Sequence, residues 1–216
     1  MSIELVTAIA CGYLLGSIPF GLITSRLSGR VDLREYGSGR TGFTNSLRVL
    51  GLRRALPVLL GDFGKGLAAA LLPLLYADDA WARGAGGLAA VIGHVWPLFA
   101  AFRGGRGVLT GAGVLTALSP LAVLLVVPLA LLALYLTRYA SVASLSGAVL
   151  AGAVFTVFAA LDVHSWAYAL VAVTGGALIV ALHHDNITRL RAGTERKLGQ
   201  GGERRPSPAG RTGEAR

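Results

Sequence analysis

Long apolar runs, separated by short polar segments, dominate the chain. An α-helix crosses the roughly 30 Å hydrocarbon core of a bilayer with about 20 residues, and most of the runs approach that length. The fourth run ends at Pro120 after about twelve residues, too few to cross at 1.5 Å each, so a short or broken helix beside a polar site is predicted. The seven predicted spans are residues 3–25, 55–76, 85–101, 108–119, 121–137, 142–160 and 166–184.

The composition agrees with a membrane protein. Of 216 residues, 54% are hydrophobic and only 14% are charged, and the mean hydropathy is +0.63. Soluble domains carry about 25% charged residues, so this balance excludes a soluble secreted enzyme and a disordered chain. The single cysteine, Cys11, excludes a disulfide scaffold. The predicted fold class is therefore all-α: a polytopic integral membrane protein with about seven transmembrane helices, one of them short.

The positive charges, which give a net charge of +9, collect in alternate loops at the ends of the apolar runs. This placement follows membrane topology, so no nucleic-acid partner is expected. The positive-inside rule predicts an N-terminus outside the cell and a C-terminus in the cytoplasm. The predicted cytoplasmic side contains Arg26, Arg30, Arg34, Arg40, Arg48, Arg53, Arg54, Arg103, Arg106, Arg138 and the basic residues from Arg189 onward. The other side contains Glu4, Asp78, Asp79, Asp162 and only Arg83.

Two regions of the chain differ in composition. Residues 1–198 contain all the apolar runs and form the predicted membrane-embedded domain. Residues 199–216 are rich in Gly, Pro, Ser and Arg, which predicts a disordered basic cytoplasmic tail. The first residues lack a basic segment and a cleavage site, so no removable signal peptide is expected.

A long polar loop, residues 32–48, follows the first span. Its glycines allow backbone N–H groups to converge on an anion, and its hydroxyl groups and arginines add donors and charge. The loop lacks the residue order of a nucleotide-binding P-loop, which argues against a nucleotide hydrolase. From composition alone, a flexible basic loop against anionic lipid is an equally good alternative.

Two further polar segments interrupt the apolar runs. Asp62 and Lys65 are ionisable groups at membrane depth, where such groups usually function or pair. Their spacing favours an intrahelical ion pair slightly for Asp62, and leaves Lys65 able to face a polar pocket. Residues 93–107 end one helix and turn through Arg-Gly-Gly-Arg-Gly into a helix that starts near Val108. The N-terminus of that helix favours a phosphate, and a tight turn with positive-inside arginines is the alternative.

The last span ends in a third polar segment, residues 183–197. On a helix, His183, Asn186 and Leu190 share one face, so an imidazole and an amide can point together at a substrate. A metal site is the weaker interpretation here. The alternative without chemistry is a basic amphipathic helix on the membrane surface.

Six short motifs occur in a fixed order along the chain. They are Gly16-Ser17-Ile18-Pro19-Phe20-Gly21, Gly-Ser-Gly-x-x-Gly-x-Thr-Asn-x-x-Arg at 37–48, Asp62-x-x-Lys65-Gly66, Gly93-His94-x-x-Pro97-x-Phe99, Gly-Gly-x-Gly at 104–107 and His183-x-x-Asn186-Ile187-x-Arg189-Leu190. This order resembles the bacterial acyl-phosphate:glycerol-3-phosphate acyltransferase family, PlsY, over nearly the whole chain to about Lys197. The resemblance implies a seven-helix membrane enzyme of phospholipid biosynthesis that makes 1-acyl-glycerol-3-phosphate without coenzyme A.

The resemblance also implies which residues act. His183, Asn186 and Ser38 are the expected catalytic residues, with His183 and Asn186 orienting glycerol 3-phosphate. Either His183 or the substrate phosphate can take the proton of the attacking hydroxyl, and the sequence does not distinguish them. Helix capping is the alternative role for Ser141. No cofactor and no metal are implied, because an acyl phosphate is already an activated anhydride. The expected substrate- and phosphate-binding residues are Arg48, Arg106, Gly104, Gly105, Asn45, Ser141 and Lys65.

Four positions depart from the family pattern. Arg40 and Phe43 stand where the family usually has Asn and Ala, and Arg103 and Arg106 stand where it usually has Lys. Since Arg keeps the charge of Lys but changes its geometry, we expect altered substrate affinity with the same reaction.

Two other functions compete with the acyltransferase. A membrane transporter of an organophosphate agrees with the short fourth span and the intramembrane charges, but no repeated half is present. A non-catalytic lipid-binding scaffold agrees with the departures at Arg40 and Phe43.

The expected partners are glycerol 3-phosphate, a long-chain acyl phosphate and membrane lipids, and the chain is expected to act as a monomer. The expected location is the bacterial inner (plasma) membrane, with several spans and the active site toward the cytoplasm.

Overall fold

The computed structural model describes residues 2–29 and 31–205, so Arg30 and residues 206–216 of the predicted tail lie outside the described residues. The described chain is helical, with one isolated β-bridge between Tyr36 and Arg204. The α-helices are α1 (Ile3–Gly16), α2 (Phe20–Gly29), α3 (Phe43–Leu50), α4 (Leu52–Leu71), α5 (Ala80–Val95), α6 (Val108–Leu118), α7 (Pro120–Thr137), α8 (Ala140–Ala160), α9 (Trp166–Leu182) and α10 (His184–Arg191). Short 3-10 helices span Leu33–Glu35, Leu72–Leu75 and Leu98–Ala100.

The helix bounds follow the apolar runs closely. Within the described residues, the helices long and apolar enough to cross a bilayer are Ile3–Gly29, Leu52–Leu75, Pro120–Thr137 and Ala140–Ala160. A fifth is added if α9 and α10, which meet at a 56° bend, count as one span. The short helix predicted before Pro120 is confirmed, since α6 has 11 residues. The count of seven spans stays a prediction.

The third predicted span is displaced along the chain. It was expected over residues 85–101, whereas α5 begins at Ala80 and ends at Val95. The Asp79 carboxylate accepts hydrogen bonds from the backbone N–H groups of Trp81 and Ala82, 3.0 and 3.2 Å away, and so caps the helix start. Pro97 follows the helix end and disfavours its continuation.

Glycines let neighbouring helices approach through their backbones. A Cβ atom on Gly12 of α1 would overlap the backbone of Gly86 of α5, and one on Gly66 of α4 would overlap the backbone of Thr110 of α6. Such small-residue packing is typical of membrane helices. The contact between α4 and α6 fixes the position of the short helix.

Arg83, the exception to the charge sorting, has a structural use. Its guanidinium donates to the Ala117 carbonyl at 2.7 Å, to the Tyr168 hydroxyl at 2.8 Å and to the Ala70 carbonyl at 3.4 Å. The last carbonyls of a helix lack intrahelical partners, and Arg83 provides a donor for one of them, that of Ala117 at the end of α6. Its other two hydrogen bonds link α4 and α9 to the same point. This end of the bundle also holds the packed apolar core, which includes Leu118, Ala122, Phe155, Ala159 and Tyr168.

Candidate active site

A cavity of about 420 Å³ lies at the opposite end of the bundle, which we call the basic end, and continues between α6, α7, α8 and α9. Its inner part is apolar and reaches Phe155. A ligand with a charged head and an apolar tail matches this division. Polar residues that line the basic end of the cavity include Ser38, Arg40, Asn45, Arg48, Arg106, Ser141, Ser144, His183, Asn186 and Glu195.

The loop that carries Ser38 is folded around the amide of Asn45. Asn45 is 2% exposed, its Nδ2 donates to the carbonyls of Leu33, Tyr36 and Arg40, and its Oδ1 accepts from the Ser38 N–H at 3.0 Å. Gly37 adopts a φ of +52°, and a Cβ atom there would collide with Asn45. Asn45 thus holds the turn that presents Ser38, and its direct contact with substrate stays a prediction.

Arg48 reaches the cavity from α3, a helix that forms inside the predicted loop. Within the described residues Arg48 makes no salt bridge, and its side chain donates one hydrogen bond, from Nη2 to the Arg196 carbonyl at a long 3.5 Å. Burial lowers the pKa of Arg48; Glu195 opposes this shift, whereas Arg196, Arg106 and Arg189 add to it. The positive charge of Arg48 is therefore incompletely neutralised, which favours an anion beside it.

Arg106 follows the glycine turn and is held by α9 and α10. Its Nη2 donates to both carboxylate oxygens of Asp185, at 2.9 and 3.0 Å, and its Nε donates to the Leu182 carbonyl at 3.1 Å. The same carboxylate lies 3.4 Å from Arg189. Beside Arg106, α6 begins at Val108 without a side-chain cap, and Gly107, Val108 and Leu109 line the cavity. A helix N-terminus and a cation thus face the same space.

His183 lies buried at the break between α9 and α10. Its Nδ1 is 2.7 Å from the Ile179 carbonyl oxygen, and because a carbonyl only accepts hydrogen bonds, Nδ1 carries the proton. In the neutral ring, Nε2 is then a free acceptor. His183 lines the cavity, whereas the neighbouring His184 is exposed and does not.

Glu195 joins three elements at the mouth of the cavity. Its Oε1 accepts from Ser141 Oγ at 2.9 Å and from Asn186 Nδ2 at 2.6 Å, and its Oε2 accepts from Arg189 at 2.7 Å. Burial alone raises the pKa of Glu195, but the hydrogen bonds from Asn186, Arg189 and Ser141 outweigh it and leave the pKa below its ordinary value. Ser141 makes no capping hydrogen bond to α8, so its capping alternative is not what the structure shows.

Three residues that line the cavity have a buried polar atom without a hydrogen-bond partner among the described residues: Nε of Arg48, Oδ1 of Asn186 and Nδ1 of His94, of which the last lies 3.4 Å from Asp62 Oδ1. Buried polar atoms are nearly always paired, so an ordered water or a ligand group is expected beside each of these atoms. The first is a donor and the second an acceptor. Together with His183 Nε2, they describe a ligand that has both an anion and a hydroxyl group.

Three predicted residues do not line the cavity. The Nζ of Lys65 lies 2.8 Å from Asp62 Oδ1 and donates to the Ile18 carbonyl at 2.9 Å. Gly104 and Gly105 pack against His94, where a Cβ atom on either would collide with its carbonyl oxygen or its ring. These glycines place Arg106, and a direct role for them or for Lys65 in binding substrate stays a prediction.

Asp185 and Glu195 organise the site and were not singled out from the sequence. Both are carboxylates within an otherwise basic segment, residues 183–197. That isolation is the signal that marks them, since a lone carboxylate among arginines is placed to pair. The Ile179 carbonyl, which fixes the His183 tautomer, carries no sequence signal at all.

Comparisons with known proteins identify the family of this chain. A sequence profile of the family described as glycerol-3-phosphate acyltransferase matches residues 6–193. A glycerol-3-phosphate acyltransferase 3 from Dehalococcoides mccartyi is 41% identical over 209 residues, which cover 91% of this chain and 97% of that protein. The glycerol-3-phosphate acyltransferase of Halalkalibacterium halodurans is 41% identical over 190 residues, covering 87% and 92%.

Two solved structures share the fold. The crystal structure of PlsY, an integral membrane glycerol 3-phosphate acyltransferase in its glycerol 3-phosphate form, matches with a TM-score of 0.82 and 37% identity, over 90% of this chain and 96% of that one. The lysophosphatidic acid form matches with a TM-score of 0.79 and 36% identity, over 89% and 94%. The resemblance seen in the motifs and the all-helical integral membrane fold are confirmed, and the chain belongs to the glycerol-3-phosphate acyltransferase family.

Proposed function

We propose that this protein transfers an acyl group from a long-chain acyl phosphate to the 1-hydroxyl of sn-glycerol 3-phosphate, giving 1-acyl-glycerol-3-phosphate and inorganic phosphate. The observation that carries the proposal is the pair of unpartnered buried atoms in the described structure, Arg48 Nε and Asn186 Oδ1, beside His183 at one cavity. Glycerol 3-phosphate offers a phosphate to the donor and hydroxyl groups to the acceptors. The related PlsY was crystallised in forms named for this substrate and for lysophosphatidic acid.

Two phosphate groups need two positive regions. Arg48 and the Ser38 turn bind the phosphate of glycerol 3-phosphate, since Arg48 has an unpaired N–H and an incompletely neutralised charge. Arg106 and the start of α6 bind the phosphate of the acyl donor, which becomes the leaving group. Asp185 keeps the Arg106 guanidinium in position for this contact.

His183 accepts the hydrogen bond of the attacking hydroxyl. The 1-hydroxyl oxygen forms a bond to the acyl carbonyl carbon, and the bond from that carbon to the phosphate oxygen breaks with its electron pair on phosphate. The hydroxyl proton passes to Nε2, which is free because Nδ1 donates to Ile179. Asn186 Oδ1 accepts from the second hydroxyl, and Glu195 fixes the orientation of this amide.

The basic end faces the cytoplasm in this proposal, and the acyl chain lies in the apolar part of the cavity. The sorting of the arginines supports this orientation. Integral membrane relatives and long apolar helices place the protein in a bacterial membrane.

Product formation by purified protein in detergent tests the function. Palmitoyl phosphate and radiolabelled glycerol 3-phosphate are supplied with EDTA, and palmitoyl-CoA is the parallel donor. We expect labelled lysophosphatidic acid from palmitoyl phosphate and none from palmitoyl-CoA. Activity with palmitoyl-CoA only would overturn the proposal that the donor is an acyl phosphate. Folded protein that is silent with both donors, yet takes up glycerol 3-phosphate in proteoliposomes, would favour the transporter.

A matched pair of histidine variants tests the site. His183→Ala is expected to lose most of the activity because the hydroxyl loses its acceptor, while His184→Ala, a change at the exposed neighbour, retains it. Equal rates for the two variants would show that a group other than His183 accepts the hydrogen bond of the attacking hydroxyl.

A further inference from the structure

The apolar part of the cavity ends at one level on four helices. On each helix, a residue that lines the cavity is followed, within one turn away from the basic end, by a residue of the packed core that does not line it. The lining and core residues are Phe155 and Ala159 on α8, Val171 and Tyr168 on α9, Leu115 and Leu118 on α6, and Val123 and Ala122 on α7. The cavity therefore has a floor.

Phe155 forms part of that floor. Its side chain lines the cavity and is 0% exposed, and it belongs to the core at the same time. On its far side, its ring lies 5.0 Å from the His164 ring, which in turn lies 5.6 Å from Tyr168. These aromatic contacts hold the Phe155 ring in place, so the floor cannot retreat without disturbing the core.

The depth of the cavity corresponds to a definite chain length. Ser141 and Phe155 are separated by about 21 Å along α8, and His183 and Val171 by about 18 Å along α9, at 1.5 Å per residue. An extended hydrocarbon advances about 1.3 Å per carbon, the projection of a 1.5 Å carbon–carbon bond. An extended chain of about fourteen to sixteen carbons therefore fits between the polar end and the floor.

Small residues keep the passage to the floor open. Gly147, Ala148 and Ala151 line it from α8, and Ala172 and Gly175 line it from α9. A Cβ atom on Gly175 would find only one neighbour, Leu88 Cδ1 at 3.9 Å. A larger side chain at this position therefore enters the cavity without meeting backbone. It would block the passage about 12 Å from His183, which is about nine carbons deep.

We propose that Phe155 sets the upper limit of the acyl chain near sixteen carbons, and that Gly175 keeps the passage above it open. The proposal rests on the proposed acyl transfer for its substrate, but the length limit is a property of the cavity. Phe155 and Gly175 are specificity-determining residues in this view and take no part in bond making.

The test measures kcat/KM for acyl phosphates of 8 to 20 carbons with wild-type protein and three variants. Gly175→Leu is expected to lower activity with palmitoyl phosphate by about tenfold or more while retaining activity with octanoyl phosphate. Phe155→Leu is expected to raise the ratio of 20-carbon to 16-carbon activity by about tenfold. Phe158→Ala is the matched control, because Phe158 also contacts the His164 ring but does not line the cavity.

A second measurement separates the length limit from the reaction. Thermal stabilisation of each variant by free fatty acids of the same lengths reports occupancy of the cavity without transfer. Length profiles that are the same for wild type, Gly175→Leu and Phe155→Leu in both measurements would overturn the proposal. Folded protein that transfers no acyl group, yet shows the expected length shifts with fatty acids, would overturn the proposed function and support the limit.

Discussion

Two buried polar clusters differ in how their charges are neutralised. The inner cluster consists of Asp62, Lys65 and His94, of which Asp62 and His94 also touch the cavity wall, and the cavity cluster is centred on Arg48, Arg106 and His183. In the inner cluster, Asp62 Oδ1 lies 2.8 Å from Lys65 Nζ and 3.4 Å from His94 Nδ1, so the carboxylate and the ammonium cancel.

The cavity cluster holds more cations than carboxylates. Arg48, Arg106 and Arg189 lie near Asp185 and Glu195, and Arg40 lies close enough to act on Arg106. Arg48 has no salt bridge within the described chain. A charge at membrane depth is thus not by itself a sign of substrate binding. What distinguishes the proposed binding region is an excess of positive charge at the cavity.

The largest effect on stability is expected from removing the carboxylate of the inner cluster. Asp62→Ala leaves Lys65 buried without its carboxylate, which costs about 3–5 kcal/mol of folding free energy. Thermal unfolding in detergent measures the loss. The double variant Asp62→Leu with Lys65→Met removes both charges and is expected to regain most of the stability and activity. Recovered stability without recovered activity would show instead that Lys65 binds substrate.

The next effect concerns the leftover charge of the cavity cluster. Arg48→Ala is expected to lower kcat/KM for glycerol 3-phosphate about 100-fold, because the phosphate loses a charge-assisted hydrogen bond and its counter-charge. Unfolding temperature should change little, since Arg48 forms no ion pair in the described structure. Arg53→Ala, at an exposed arginine of α4, is the control. Wild-type rates in Arg48→Ala would contradict the view that the excess positive charge of the cavity cluster binds substrate.

A smaller effect on activity is expected from changing Arg106, and it tests how this side chain binds phosphate. Arg106→Lys keeps the charge but cannot hold both Asp185 and the Leu182 carbonyl in the present geometry. We expect about a tenfold fall in kcat/KM for the acyl phosphate. Arg103→Lys changes an exposed arginine of the same turn and is the matched control. A loss nearer 1000-fold would indicate bidentate binding of phosphate by Arg106.

The smallest effect concerns the outer wall of the cavity cluster. Residues 199–205 run beside the Ser38 loop, where Gly37 N donates to the Glu203 carbonyl at 3.0 Å and Arg205 N donates to the Glu35 carbonyl at 2.7 Å. Truncation after Leu198 is expected to raise KM for glycerol 3-phosphate a few-fold by loosening this loop. Truncation after Arg205 keeps both bonds and should leave KM unchanged. Equal KM values would show that the loop needs no such support.

The sequence by itself determined the membrane fold and most of the polar site. Continuous apolar runs long enough to cross a bilayer favour helices, which explains the agreement for α7, α8 and α9. Ordered motifs named the residues that the fold brings to the cavity, such as Ser38, Arg48 and His183. The start of α5 was placed too late because Arg83 interrupts the apolar pattern in the first turn of this helix.

Only the tertiary structure decided which charges are available. Lys65 is neutralised by Asp62 three residues away, a pair that the sequence spacing allows, but the lack of a salt bridge at Arg48 among the described residues depends on how segments far apart in sequence pack around it. The same holds for the tautomer of His183, set by a backbone carbonyl, and for Phe155, which resembles any apolar helix residue until four helices close around it. Sequence specifies the chemical groups, and packing decides which of them remain unpaired and face the substrate.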